Sequence, residues 1–76
     1  MARSIHHPPQ PYHPAVGEMV WAYSVEGQMY FPAEVLSIDP LRGVVQVHYI
    51  IVGRRITRTY EVPFNRLAPI SSPEPG

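Results

Sequence analysis

Apolar and polar residues alternate along most of the chain between residues 16 and 70, with a period of two that is typical of half-buried β-strands. In the first such segment Val20 and Ala22 alternate with Met19, Trp21 and Tyr23. Two similar segments follow, and no stretch shows a sustained helical repeat. The positions predicted to face the interior of the second and third strands are Phe31, Ala33 and Val35, then Val45, Val47 and Tyr49.

Turn-forming residues separate these segments and predict antiparallel hairpins at residues 25–28, 39–43 and 52–55. A fourth strand is predicted over residues 56–62, because Pro63 cannot continue a sheet ladder. A short helical turn at Phe64-Asn65-Arg66 and a last strand over residues 67–70 complete the pattern.

Five short antiparallel strands in about 55 residues are too few for a two-layer sandwich. The pattern therefore predicts an all-β domain, an SH3-like five-stranded barrel made from one strongly bent sheet. The side chains of Ala33, Val35 and Ile38 lie on the same face of the second strand only if that strand has a bulge near Leu36-Ser37. The predicted barrel covers residues 15–70, between disordered Pro-rich tails at residues 1–14 and 71–76.

Composition narrows the class of protein. The chain has 76 residues, no cysteine, and six Arg against six Asp plus Glu, which gives a formal net charge of zero. Such a chain fits one small domain without disulfides. Because its net charge is zero, it does not attract nucleic acid or an anionic membrane through long-range electrostatics. No apolar run is long enough to span a bilayer, so we expect a nuclear or cytoplasmic, intracellular protein.

An ordered set of short motifs runs through residues 16–70 and resembles Tudor domains, most of all the survival-motor-neuron type. Part of it, Val47-His48-Tyr49 with Asn65-Arg66-Leu67, is also similar to chromo-barrel domains. The motifs are Val16-Gly17-Glu18, Val20-x-Ala22, an aromatic before Pro32-Ala33-x-Val35, Ser37-Ile38-Asp39, Val47-x-Tyr49 and Leu67-x-Pro69-Ile70.

The resemblance implies a ligand site at one mouth of the barrel. Such domains hold methylated lysine or methylarginine in a cage of aromatic rings, on a peptide such as a histone tail, because π faces attract a weakly hydrated cation. Phe31 and Tyr49 match cage aromatics, whereas Ser24 and Val52 stand where the family has rings, and Arg54 replaces a ligand-contacting Asn. The predicted partial cage is Tyr23, Phe31, Tyr49 and Val52, with Ser24, Glu26, Tyr30 and Arg54 at its rim.

Two other kinds of interaction stay open. Met19 and Trp21 are predicted to point outward and to form a partner surface, in a protein–protein contact or a dimer. Arg54, Arg55 and Arg58 are predicted to lie near Tyr49 and Tyr60, whose rings could stack on bases, and they suit weak single-stranded nucleic-acid binding. Alternatively, the arginines pair with Glu34 or Glu61 on the surface.

The residues that carry catalysis in other proteins are scattered here. His48 is isolated, the carboxylates are spread along the chain, and no phosphate-binding loop or metal-ligand spacing is present in the predicted barrel. We therefore expect a binding module rather than an enzyme, with no cofactor and no metal.

Overall fold

A computed structural model describes residues 12–75, whose regular secondary structure is β-strand apart from one short 3-10 turn. No helix in this part of the chain is long and apolar enough to cross a membrane. The elements are β1 (Met19–Ser24), β2 (Met29–Asp39), β3 (Val44–Ile51), β4 (Arg54–Arg55), β5 (Tyr60–Pro63), a 3-10 turn (Phe64–Arg66) and β6 (Leu67–Pro69).

The strands form one antiparallel sheet in the order β4-β3-β2-β1-β6, and β5 pairs with β3 beside β4. The prediction of a small all-β fold with antiparallel hairpins is confirmed at this level. The pairings leave the sheet open, with β4 and β6 at the two ends of the order. The closure that the predicted barrel requires is thus absent from the backbone pairing of residues 12–75.

The sheet is nevertheless strongly bent. The register between β2 and β3 shifts between Val35 and Ser37, which confirms the predicted bulge near Leu36-Ser37. The Tyr49 hydroxyl on β3 donates a hydrogen bond of 2.6 Å to the main-chain oxygen of Tyr23 on β1. Strands two positions apart in a flat sheet lie roughly 10 Å from each other, with side chains perpendicular to the sheet. The sheet must therefore curl around its concave face for this bond to form.

The concave face carries the hydrophobic core, and the alternation along the first three strands accounts for most of it. Val20, Ala22, Ala33, Val35, Val45 and Val47 are at most 1% exposed, and Tyr49 is 4% exposed. Phe31, predicted to face inward with them, is partly buried against this cluster. The remaining buried hydrophobic residues come from the second half of the chain: Val62, Phe64 and Leu67.

The predicted fourth strand over residues 56–62 is wrong in its first half. Val52 and Gly53 have φ values of +52° and +74°, as in a two-residue type I′ hairpin turn, so the return strand β4 begins already at Arg54. Arg55 pairs with Ile50 and Tyr60 pairs with Val47, which leaves residues 56–59 opposite only two residues of β3. Ile56 still donates a main-chain hydrogen bond of 2.7 Å to Tyr49 on β3 and packs against the core, so the bulge lies at residues 57–59. Regular pairing resumes at β5.

Both ends of the described chain contact the sheet. Most of the predicted tail at residues 1–14 and residue 76 lie outside the described residues. Within the described part, the Tyr12 hydroxyl donates to the Glu18 carboxylate, which lowers the pKa of Glu18, and Pro14 is buried. At the other end, Ser72 accepts a hydrogen bond from Trp21. Parts of both predicted tails therefore pack on the sheet.

Candidate functional site

Three aromatic rings meet at one end of the concave face. The Phe31 and Tyr49 ring centroids are 6.2 Å apart with an interplanar angle of 79°, and those of Tyr49 and Tyr60 are 5.2 Å apart at 64°. Both contacts are edge-to-face, an arrangement that the ring quadrupoles favour. We call Phe31, Tyr49 and Tyr60 the ring cluster.

Strand register brings these rings together from three separate elements. Phe31 pairs with the buried Ala22 across β1 and β2, and Tyr60 pairs with the buried Val47 across β3 and β5. Directly opposed residues in an antiparallel pair share a face of the sheet, so both rings point to the concave side. Tyr49 lies two residues after Val47 and shares that face, which completes the cluster at the end of the sheet where β1 and β3 terminate.

Phe31 and Tyr49 were both predicted as residues of the candidate site, whereas Tyr60 was predicted only as a ring near the nucleic-acid patch. The alternation of the sequence does indicate an inward position for Tyr60, because Ile56, Tyr60 and Val62 occupy one face of the predicted fourth strand. A core position at Val62 means that Tyr60, two residues earlier, also faces inward. Its proximity to Tyr49 then depends on the β3–β5 register, which the pattern alone does not provide.

Charged groups of both signs border the ring cluster. The Tyr60 hydroxyl donates to Glu26 Oε1 at 3.4 Å, and this carboxylate is in the turn between β1 and β2. The Arg58 guanidinium carbon lies 5.2 Å from the Tyr60 ring centroid, within cation–π distance. The cluster thus already holds one cation on a ring and has one carboxylate at its edge.

The turn at residues 25–28 covers Phe31. Ser24 Oγ accepts a hydrogen bond of 3.0 Å from the Gly27 amide, and the Ser24 carbonyl accepts one of 2.7 Å from Gln28. A Cβ atom on Gly27 would lie 2.8 Å from Phe31 Cε2, closer than such atoms approach each other. Only glycine therefore allows the turn to pack this tightly on the Phe31 ring.

No pocket is present at the ring cluster or elsewhere among residues 12–75. Tyr49 is the most enclosed of the three rings, and burial raises the pKa of its hydroxyl to about 12, with further contributions from the nearby Tyr60 and Glu26. Its hydroxyl donates its proton to the Tyr23 carbonyl. The rings pack on one another, so a ligand at this site requires a local opening of the cluster.

Several residues of the predicted cage lie away from the rings. Tyr23 and Tyr30 oppose each other on the outer, convex face, with ring centroids 5.3 Å apart, and Arg66 lies 4.7 Å above the Tyr23 ring. Val52 is at the tip of the β3–β4 hairpin with 95% of its surface exposed. Ser24, predicted at the rim, uses its hydroxyl to hold the β1–β2 turn.

The three arginines of the predicted nucleic-acid patch lie in different surroundings. Arg54 and Arg55 are neighbours on β4 and point to opposite faces. Arg55 forms an ion pair of 2.6 Å with Glu34 on the convex face, whereas Arg58 stacks on Tyr60 at the concave end. Among residues 12–75, Arg54 has no ion pair. Two of the three arginines are therefore engaged within the chain.

The remaining chemistry-bearing groups stay dispersed. Within residues 12–75 no three His, Asp or Glu side chains lie close enough together to hold a metal ion. His48 Nε2 is 3.5 Å from the Thr59 hydroxyl, and no carboxylate of residues 12–75 bonds to the imidazole. Two arrangements among residues 12–75 are therefore suited to binding: the ring cluster with Glu26, and the aromatic residues of the convex face.

No family model matches the chain, and no curated protein matches it in sequence. The likeness to Tudor domains therefore remains a resemblance carried by the motifs in residues 16–70.

Proposed function

We propose that this chain is a non-catalytic, Tudor-like binding module that takes a methylated lysine or methylarginine side chain of a peptide at the ring cluster. The observation that carries the proposal is the convergence of Phe31, Tyr49 and Tyr60 from three strands beside the Glu26 carboxylate. The strong bend of the open sheet supports the related proposal of a barrel-like domain. A histone tail is one peptide of this chemistry.

The ligand class follows from the surface chemistry of the cluster. A methylated ammonium or guanidinium group loses little hydration on burial and is attracted to ring faces by about 0.5–2 kcal/mol per ring. The Glu26 carboxylate, which accepts the Tyr60 hydrogen bond, adds Coulombic attraction for a cation and repels an anionic group. Arg58 already occupies the Tyr60 ring in the same way, so the ligand cation would take over a contact that the chain itself makes.

Access would come from the β1–β2 turn, which packs on Phe31. Residues 25–28 are exposed, and their link to the ring cluster consists of the Gly27 contact and the long hydrogen bond between Tyr60 and Glu26. Movement of this short turn, together with release of Arg58, would expose the faces of Phe31 and Tyr60. Tyr49 would stay in place as the floor of the site, since its hydroxyl is bonded to Tyr23.

A titration of isotope-labelled protein with trimethyllysine and dimethylarginine peptides tests the proposal. We expect saturable shifts of the amide signals of Phe31, Tyr49 and Tyr60 with at least one methylated peptide, and much weaker binding of the unmodified peptide. Glu26→Gln should weaken binding by about tenfold, because it removes the carboxylate charge. The matched control is Glu34→Gln on the convex face, which should leave the affinity unchanged.

Two results would contradict the proposal. One is equal binding of methylated and unmodified peptides, and the other is a signal change confined to residues outside the ring cluster. Salt-sensitive binding of single-stranded nucleic acid that is lost in Arg54→Glu would instead support the nucleic-acid alternative.

A further inference from the structure

The convex face of the sheet carries a compact group of aromatic residues that the ring cluster does not use. Trp21 and Tyr23 on β1 oppose Pro32 and Tyr30 on β2, so the four side chains form a two-by-two patch on one face. We call Trp21, Tyr23, Tyr30 and Pro32 the outer aromatic face. All four are partly buried.

A segment of the chain is already seated on this face. After β6 a turn closes with a hydrogen bond of 3.0 Å from the Ser72 amide to the Pro69 carbonyl. This turn brings the Ser72 carbonyl to Trp21, whose Nε1–H donates to it at 3.0 Å across 51 positions of sequence. The C-terminal segment, residues 70–75, is thus hydrogen-bonded to the Trp21 corner of the outer aromatic face.

The chemistry of that contact matches the recognition of polyproline II peptides. A polyproline II segment has no internal hydrogen bonds, and its prolines lack N–H groups, so it offers free carbonyls and rigid apolar rings. Modules that bind such segments use aromatic-lined surfaces. Here the indole N–H donates to the carbonyl that directly precedes Pro73. The Pro73 ring is itself exposed, whereas Pro75, two residues further on, is partly buried.

The neighbouring residues leave room for a ligand and indicate its charge. On the β6 side, Trp21 is opposed by Ala68, whose small side chain leaves the indole accessible from that side. Arg66 stacks on Tyr23 within the same patch and forms no ion pair among residues 12–75. A peptide that crosses from Trp21 toward Tyr23 would meet this guanidinium, which favours a carboxylate in the ligand. The C-terminal segment itself carries Glu74 between its two prolines.

We infer that the outer aromatic face is a docking surface for an extended, proline-rich and acidic peptide, and that the C-terminal segment occupies it as an intramolecular ligand. A partner peptide of this chemistry competes with the segment for the Trp21 indole. Because the segment is tethered, its effective concentration at the face is in the mM range, so a free peptide binds weakly until the segment is released. This surface is separate from the ring cluster, and the inference does not depend on the proposed function.

The chain contains a single tryptophan, so its one indole N–H signal reports directly on this contact. The test compares the full chain with the double variant Pro73→Gly, Pro75→Gly, in which the segment loses its rigidity. We expect the indole signal to move toward that of a solvent-exposed indole in the double variant. A synthetic peptide with the sequence of residues 70–76 should then restore it, with an apparent affinity about tenfold higher than for the unaltered chain.

Two controls separate docking from simple covering of the ring. A peptide with both prolines replaced by alanine should bind the double variant at least fivefold more weakly. Trp21→Phe in the double variant keeps a ring but removes the donor, and it should weaken the proline-containing peptide by about fivefold, measured by calorimetry. Amide signals of Val20 and Ala22 verify that this variant still folds.

The inference is wrong if the indole signal is the same in the unaltered chain and the double variant, or if both peptides bind equally well. Movement of the indole signal without any binding of the added peptide also overturns it, because the segment would then only cover the ring.

Discussion

Tyr49 on β3 is hydrogen-bonded to the main chain of Tyr23 on β1, although β2 lies between these two strands in the sheet. This bond spans the concave face and is one of the contacts that hold the sheet in its bent shape. It also fixes the central ring of the ring cluster. The shape of the fold and the position of the candidate site therefore depend on the same hydroxyl group.

Removing that hydroxyl should destabilise the domain. We expect Tyr49→Phe to lower the free energy of unfolding by about 1–2 kcal/mol, because a buried hydrogen bond is lost while the ring packing remains. Denaturant unfolding measures the change. Tyr30→Phe is the control, since the Tyr30 hydroxyl makes no hydrogen bond to residues 12–75, and its effect should stay within about 0.5 kcal/mol. Equal losses in the two variants would contradict this role of Tyr49.

Alkaline pH should destabilise the fold through two tyrosines. The pKa values of Tyr49 and Tyr12 rise from 10.0 to about 12 in the folded chain, through burial first in each case. A raised folded pKa contributes stability that is complete below pH 10 and is lost as the pH rises toward 12. We expect the free energy of unfolding to fall across this window, and to fall less steeply in Tyr49→Phe or Tyr12→Phe. Identical pH slopes in all three proteins would refute the assignment.

The tight contact between the β1–β2 turn and the ring cluster predicts a steric effect. Gly27→Ala places a methyl group 2.8 Å from Phe31 Cε2, so the turn or the ring must shift. We expect a loss of about 1–3 kcal/mol in the free energy of unfolding. In a Phe31→Leu background the same substitution should cost clearly less, because the obstructing ring atom is gone. Strictly additive effects in this double-mutant cycle would show that the two positions are not in contact.

The tip of the β3–β4 hairpin contains an unfavourable backbone conformation. Val52 has φ +52°, a region that β-branched residues rarely adopt, and its side chain gains nothing from burial because it is 95% exposed. Val52→Asn should raise the free energy of unfolding by about 1 kcal/mol, because asparagine tolerates this conformation in type I′ turns.

The matched control for this substitution is Val25→Asn. Val25 is an exposed valine in the β1–β2 turn that does not adopt a positive φ, so its replacement should change stability by less than about 0.5 kcal/mol. A gain at both positions would point to a general surface effect. Peptide affinity measured on Val52→Asn also tests the predicted participation of Val52 in the ligand site, which would appear as weaker binding in a more stable protein.

Much of the fold could be predicted from the sequence because alternation directly reports which residues face the interior. Val35 and Ile38 lie on one face only with an extra residue between them, and this mismatch revealed the bulge in β2. The fourth strand was harder to predict from the sequence. Val52-Gly53 lacks the Asn or Asp that usually marks a two-residue hairpin, and no local pattern shows that residues 56–59 face only two residues of β3.

Only some residues of the candidate site could be predicted from the sequence. Phe31 and Tyr49 were named because they match the cage aromatics of the Tudor domains that the sequence resembles. Both also occupy inward positions of their strands, and their rings are in contact. Tyr23 belongs to the outward set of β1, so strict alternation places it on the other side of the sheet from them. The partner of Trp21 lies 51 positions away in a segment with no periodic pattern, and only the folded chain brings the two together.

The two ends of the open sheet are both formed by very short strands. One end consists of β4, which has two residues, both arginines, and of β5 beside it, which has four residues and ends in Pro63. The other end is β6, which has three residues and ends in Pro69, and neither proline has an N–H to donate. A long unpaired edge would act as a template for the next molecule and promote aggregation, whereas short, charged or proline-containing edges oppose it. We therefore expect this small domain to stay monodisperse at high concentration even though its sheet does not close on itself.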